Sequence, residues 1–428
     1  MLVTSSFVCH SQIVSHLKEQ IRRNHNSSLD IQRFEVILEP LELLPWLERQ
    51  KLSWKFYWSS AEYDRGIEVA ALGIARELVF DSTIPLSEIR YYGMAGFSDQ
   101  HLKLILPRIE IIPTGEYMTL SCYIVKEDGQ DLSRVFAELD TLSFQDKFFE
   151  STVPSMVKRE DCPHFSQWVE GIEKALSYLS RGDLEKIVLA RKVHLLFSDD
   201  LPPFHLLNRL MSKIQKCFYF CFSPEMGKAF ISSSPEMLYR RQGRKIQSEA
   251  IAGTRPRGKS FESDKALEAE LLSSEKDFRE HRYVVEHIHE AFRHLCSEVY
   301  QEGERTLLKR DCWQHLCQAI GGKLLPNITD SQVVRSLHPT PAVGGVPKEK
   351  AKTIIREIEG FDRDYYCGVV GWLSKDFAEF SVAIRSGVIC HNRLTLYSGA
   401  GIVNGSDPLE EWKETEIKLS NFLMLVQP

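Results

Sequence analysis

From residue 185 onward the chain repeats one pattern: short runs rich in Val, Ile and Leu stand in closely spaced pairs, and amphipathic helices arrive between them only in blocks. The candidate strands are 185–197, 218–222, 229–232, 245–249, 368–373, 380–388 and 393–397. Such an order predicts antiparallel sheet with helices packed outside it. One helix carries Trp168, Ile172, Leu176 and Leu179 on a single face and can end at Gly182; a long one is expected over 264–300, and another closes the chain from Leu409. Residues 36–149 alternate apolar and polar segments and read as strand-rich scaffold, with Phe56, Tyr57 and Trp58 as core packing. The polar stretch 152–163, with two prolines, divides the chain into an amino-terminal scaffold part, 1–155, and a part that carries the chemistry, 160–428.

With 428 residues, 43% of them hydrophobic, the chain can bury a large core. The net charge of -6, with both signs interspersed, argues against nucleic acid or an anionic membrane as partner. The 10 cysteines include no C-x-x-C pair and read as reduced thiols of a cytosolic protein. Residues 1–20 lack a secretory pattern and no apolar run reaches the ~20 residues of a membrane span, so a soluble cytoplasmic substrate is expected.

Two motifs fail on geometry. The glycines Gly399, Gly401 and Gly405 miss the dinucleotide spacing by one residue and follow a hairpin. His289 and His294 lie five apart on a helix, about 140° around its axis, and cannot chelate one ion together.

What remains is a constellation. Glu411, Glu414 and Lys418 share one helix face, and Glu275 and Glu280 offer a second acidic site for a hard divalent cation such as magnesium. Taken alone, that helix face is more simply explained by ordinary surface pairing. Arg385, in a strand among apolar residues, needs an anionic partner, which a substrate or an internal carboxylate could supply. Gly253 and Gly399 to Gly401 follow strands, where bare backbone can approach a ligand or simply turn. Lys186 opens an apolar strand; burial would let it serve as a base, whereas a strand-end lysine reaching solvent is the plainer reading. Glu236, in Ser234-Pro-Glu236-Met-Leu, is the mirror case, a carboxyl that desolvation would keep protonated.

Seven blocks in order resemble the chorismate-utilising enzymes over 165–425: Lys186-Ile-Val-Leu-Ala-Arg191, Ser234-Pro-Glu-Met-Leu, Ile251-Ala-Gly-Thr-Arg-Pro-Arg-Gly258, Ser274-Glu-Lys-Asp-Phe-Arg-Glu-His281, Leu337-His-Pro-Thr-Pro-Ala-Val-Gly-Gly345, Ser398-Gly-Ala-Gly-Ile-Val403 and Glu411-Trp-Lys-Glu-Thr-Glu-Ile-Lys418. The resemblance implies an α/β (α+β) fold of two packed, mostly antiparallel sheets surrounded by helices, with magnesium-bound chorismate in a cleft of the carboxyl-terminal part. Glu280 and Glu414 would hold the Mg2+, with Glu411 assisting through water. Lys418 and the backbone at Gly399 would neutralise the ring carboxylate, and Arg385 the enolpyruvyl carboxylate. Gly253, Thr254, His338 and Tyr366 would line the wall.

Within the family this sequence is similar to the isochorismate synthases. They carry a lysine at the Lys186 position, which takes a proton from the water attacking C2, while Glu236 would protonate the departing C4 hydroxyl. Ala252 stands where aminodeoxychorismate synthases place a lysine nucleophile. Salicylate synthase, which shares the lysine base, and anthranilate synthase component I, whose Thr-Arg-Pro-Arg-Gly ending appears at 254–258, are the alternatives. No amidotransferase segment is recognisable, so no obligatory partner of that kind is expected.

Overall fold

The computed structural model describes residues 10–60, 66–80, 88–98, 102–144, 152–309 and 313–426. Of the segments read above, residues 1–9 and, within 36–149, residues 61–65, 81–87, 99–101 and 145–149 lie outside these. Among the described residues a 19-stranded hydrogen-bonded network forms, its pairings antiparallel throughout. It divides into two runs. The first contains, side by side, Cys296–Lys309, Trp313–Leu324, Lys245–Pro256, Met237–Gln242, Phe377–Val382, Val369–Leu373 and Tyr91–Ala95. The second contains Glu68–Val79, Lys55–Ser59, Phe218–Glu225, Lys228–Ser234, Ser386–Cys390, Arg393–Ile402, Lys186–Phe197 and Met156–Cys162. The strand Lys103–Thr114 pairs with the last member of one and the first of the other, so the two expected sheets are joined in a continuous ladder.

The runs face each other through one buried cluster, in which Phe56, Trp58, Phe218, Phe220 and Phe230 meet Tyr92, Met237, Val370 and Trp372. Aromatic rings bury large areas and tolerate tilted contacts, as Phe56 and Tyr92 show with centroids 5.3 Å apart. Phe56, Tyr57 and Trp58 are therefore core residues, as read from the sequence. Helices cover the outer faces: Glu275–Leu295 lies on Lys245–Pro256, and Pro408–Val426 on Arg393–Ile402.

The structure corrects several expected boundaries. The long helix over 264–300 is two, Phe261–Ser273 and Glu275–Leu295, because Ser274 takes an extended conformation and its side chain accepts from the Asp277 amide, capping the second helix. Residues from Cys296 turn into a strand whose charged composition hid it, since an edge strand need not alternate cleanly. The expected strand 380–388 breaks between Val382 and Ser386, and Arg385 there has φ +50°. Gly253 and Gly399 to Gly401 lie inside strands instead of following them; Gly253, at φ +70°, forms a bulge opposite His315 and Leu316. Within the stretch read as a divider, Met156–Cys162 is a strand paired with Lys186–Phe197.

Candidate active site

Lys186–Phe197 and Arg393–Ile402 run side by side with Gly401 opposite Val188 and Gly399 opposite Ala190, and this pair forms one wall of the principal cleft. Between its pairings with Gly345–Val346 and Met156–Cys162, the other edge of the first strand is held by a buried ion pair. Arg363 donates to the carbonyls of Val188 at 2.7 Å and Val343 at 2.8 Å, while Glu359, its partner, accepts from the Ala190 amide at 2.7 Å. Behind the wall, Arg191 fixes the last helix. Its guanidinium donates to Thr415 at 2.7 Å, pairs with Asp161 and Glu416, and stacks 3.8 Å from the Trp412 ring. Register along Pro408–Val426 then points Glu414 and Lys418 into the cleft.

The cleft encloses about 1070 Å³ of empty space, its open mouth included. Of the residues singled out above, Glu236, Gly253, Thr254, Glu280, Tyr366, Arg385, Gly399, Glu414 and Lys418 line it. Lys186 lies directly behind the lining, fully buried, and its Nζ donates to Glu280 Oε1 at 2.8 Å. This replaces the solvent-reaching lysine with a committed interior one. A Cβ on Gly401 would stand 2.9 Å from that Glu280 oxygen and 3.2 Å from Lys186 Cε, so any larger residue there would shift the pair from its present place.

Three expected residues sit elsewhere. Glu411 is buried behind the lining, where the lining residue Lys276 donates to it at 2.9 Å. Glu275 is exposed and does not line the cleft. His338 is outside the lining too. It follows the helix Asp330–Leu337 and its ring meets the edge of Phe97, with centroids 6.4 Å apart, so packing and not the cleft determines its place. Burial and the nearby Lys348 and Lys352 push the His338 imidazole down to about 3, which keeps it neutral. The cleft histidine is His315, on Trp313–Leu324, paired with Thr254 at 3.0 Å. Lys276 and Asp277 also line the cleft. Both fall within the block 274–281, but nothing in their spacing marked them apart from the helix surface.

Burial sets the electrostatics. Glu236 is 5% exposed; burial pushes its carboxyl up to about 7, against the opposing pull of Thr340, 3.3 Å away, and of Lys186 and Lys418. Its backbone is pinned, the carbonyl accepting from Ser381 Oγ at 2.8 Å and from the Val382 amide at 3.1 Å. Burial also works on Glu414, but Lys418, Lys276 and Arg385 outweigh it and hold that carboxyl below its ordinary range. Glu411 goes the other way, raised by burial against the pull of Lys276. Arg385 has its charge disfavoured by burial, and its Nη1 is buried without a hydrogen-bond partner among the described residues. A buried guanidinium nitrogen without a partner has the chemistry to take up an anionic group.

The acidic groups fit a hard divalent ion in kind. Glu280 and Glu414 bring carboxylates from two helices to one cleft, and the Lys276 ammonium interacts with Glu411, Glu414 and Glu280 together, marking where positive charge is stabilised. Among the described residues no three His, Cys, Asp or Glu side chains converge on one point. Lysines hold the three carboxylates instead, one apiece.

The chain with this scaffold and cleft belongs to the chorismate-binding enzyme family, whose model matches residues 93–427. It is similar to the isochorismate synthase MenF of Haemophilus influenzae, 31% identical over 97% of this chain and 96% of that one. MenF of Bacillus subtilis is 30% identical over 98% of each chain. The solved structure of MenF, the menaquinone-specific isochorismate synthase from Escherichia coli, superposes with a TM-score of 0.86 at 26% identity, covering 97% of this chain and 100% of that one.

Proposed function

We propose that this chain is an isochorismate synthase, a Mg2+-dependent isomerase that adds water at C2 of chorismate and expels the C4 hydroxyl. The observation that carries the reading is two buried ionisable groups at one cleft: a fully buried lysine just behind its wall and a lining carboxyl, 5% exposed, that burial pushes up to about 7. Lys186, acting as the uncharged amine, takes a proton from the attacking water as its oxygen bonds to C2. The ring double bond shifts, the C4–O bond breaks, and Glu236 supplies the proton with which the hydroxyl leaves as water. One water enters and one departs, so the net change is an isomerisation.

Glu280 and Glu414 would hold the Mg2+, with Glu411 assisting through water, and the ion would supply charge neutralisation at the ring carboxylate. Lys418, which donates to the Gly399 carbonyl at 2.9 Å, adds positive charge at the same end. Arg385 receives the enolpyruvyl carboxylate on its unpartnered nitrogen. The amino-terminal residues 1–155 act as scaffold, and those from 160 onward supply the cleft.

Full-length similarity to MenF supports menaquinone supply as the route this product feeds. No helix among the described residues is long and apolar enough to cross a membrane, and we place the enzyme in the cytoplasm, acting on chorismate without an amidotransferase partner.

The test is product analysis by NMR after incubation with chorismate and MgCl2. Isochorismate alone is expected; released pyruvate would reassign the chain to salicylate or anthranilate chemistry. Chelation with EDTA should stop the conversion and added MgCl2 restore it, and undiminished turnover in EDTA would remove the metal from the scheme. Arg385→Ala should raise KM about 10–100-fold with kcat changed only a few-fold, the loss of one charge-assisted contact made alike in substrate and transition state. An unchanged KM in steady-state kinetics would take Arg385 out of substrate binding.

A further inference from the structure

We propose that Lys276 is a tethered counter-cation of the acidic end of the cleft, bridging its two acidic helices in the metal-free protein and giving way when a divalent ion is bound. This rests on the metal reading above. Three lysines serve three carboxylates: Lys186 with Glu280 at 2.8 Å, Lys418 with Glu414 at 2.5 Å and Lys276 with Glu411 at 2.9 Å. The first two lysines are committed elsewhere. Lys186 is fully buried, and Lys418 also donates to the Gly399 carbonyl. Lys276 has 42% of its side chain exposed, against 21% for Lys418 and none for Lys186, so of the three it has the most open solvent to move into.

Its place in the helix points the same way. Lys276 is the second residue of Glu275–Leu295, in the first turn, where unpaired amides and the helix dipole disfavour a cation. Ser274 supplies the cap, and Glu275 and Asp277 are the acidic residues a first turn prefers, so helix formation does not account for the lysine between them. The acids of the cleft do. Among the described residues, Lys276 to Glu411 is the one ion pair joining this helix to Pro408–Val426. A positive charge there holds the helices together when no metal does, and it repels a divalent ion arriving at the same carboxylates.

The experiment is calorimetric titration of the full chain with MgCl2, without chorismate, on the wild type and on Lys276→Met, Lys276→Gln and Lys276→Arg. The Met and Gln variants should bind Mg2+ about tenfold more tightly, whereas Lys276→Arg should bind like the wild type. Thermal melts should show Lys276→Met less stable than wild type without Mg2+, the gap closing at saturating Mg2+. Equal or weaker Mg2+ affinity in both neutral variants overturns the proposal; should Lys276→Met fail to fold, Lys276→Gln decides alone. A wild type that binds no Mg2+ defeats the metal reading itself, and the proposal with it.

Discussion

Lys186→Met will cut isochorismate formation by about 10²–10⁴-fold, the usual worth of a positioned general base, while the protein remains folded. Methionine keeps the unbranched apolar stem that the wall packs against and removes only the amine. Substrate binding should be nearly untouched, because no role at either carboxylate falls to this nitrogen, so the loss belongs to kcat with KM within a few-fold. Stability should fall by about 1–3 kcal/mol, since Glu280 Oε1 loses the donor now 2.8 Å away. Because Glu280 keeps some access to water, the lower half of that range is the better expectation. Steady-state kinetics with product quantified by chromatography, alongside urea melts, separates the two effects. Activity within tenfold of wild type would show that some other group deprotonates the water.

Most of the fold and part of the site were legible in the sequence, and each failure has a physical cause. Periodicity located the strands of the second half because they are buried on both faces and rich in branched residues, as the strand Lys186–Phe197 is. It missed Cys296–Lys309, where glutamates, an arginine and a threonine on an edge strand look like a continuing helix. It ran Phe380 to Val388 together because nothing in a local pattern announces that Arg385 takes a left-handed backbone. The face shared by Glu411, Glu414 and Lys418 followed from helical spacing, yet which helix would meet it did not. That meeting is a tertiary fact, built from the Arg191 clamp and from the Lys276 bridge between residues 135 apart. His338 was misplaced on the wall for the same reason: a histidine in a distinctive block invites a functional role, whereas Thr254 and His315 find each other only through the pairing of Lys245–Pro256 with Trp313–Leu324.

Glu236 makes a prediction in which activity and stability share one titration. In the folded protein its carboxyl is pushed up to about 7 by burial, against an ordinary 4.5. Between those values the folded chain keeps a proton that the unfolded chain has released. The contribution of this group is therefore fully present below pH 4.5, declines as pH rises, and is lost above about 7, a change on the order of 3 kcal/mol. The acid must also carry its proton to act, so kcat/KM, which reports the free enzyme, should fall about tenfold per unit above pH 7 from this group. Glu236→Gln removes the titration but keeps the shape. It should lower turnover by about 10²–10⁴-fold at every pH and lose this group's share of the decline in stability between pH 5 and 7. Urea melts and kinetics over pH 5–9 on both proteins make the comparison. If kcat/KM of the wild type stays level from pH 6 to 9, or the Gln variant turns over like the wild type, the departing hydroxyl takes its proton from elsewhere.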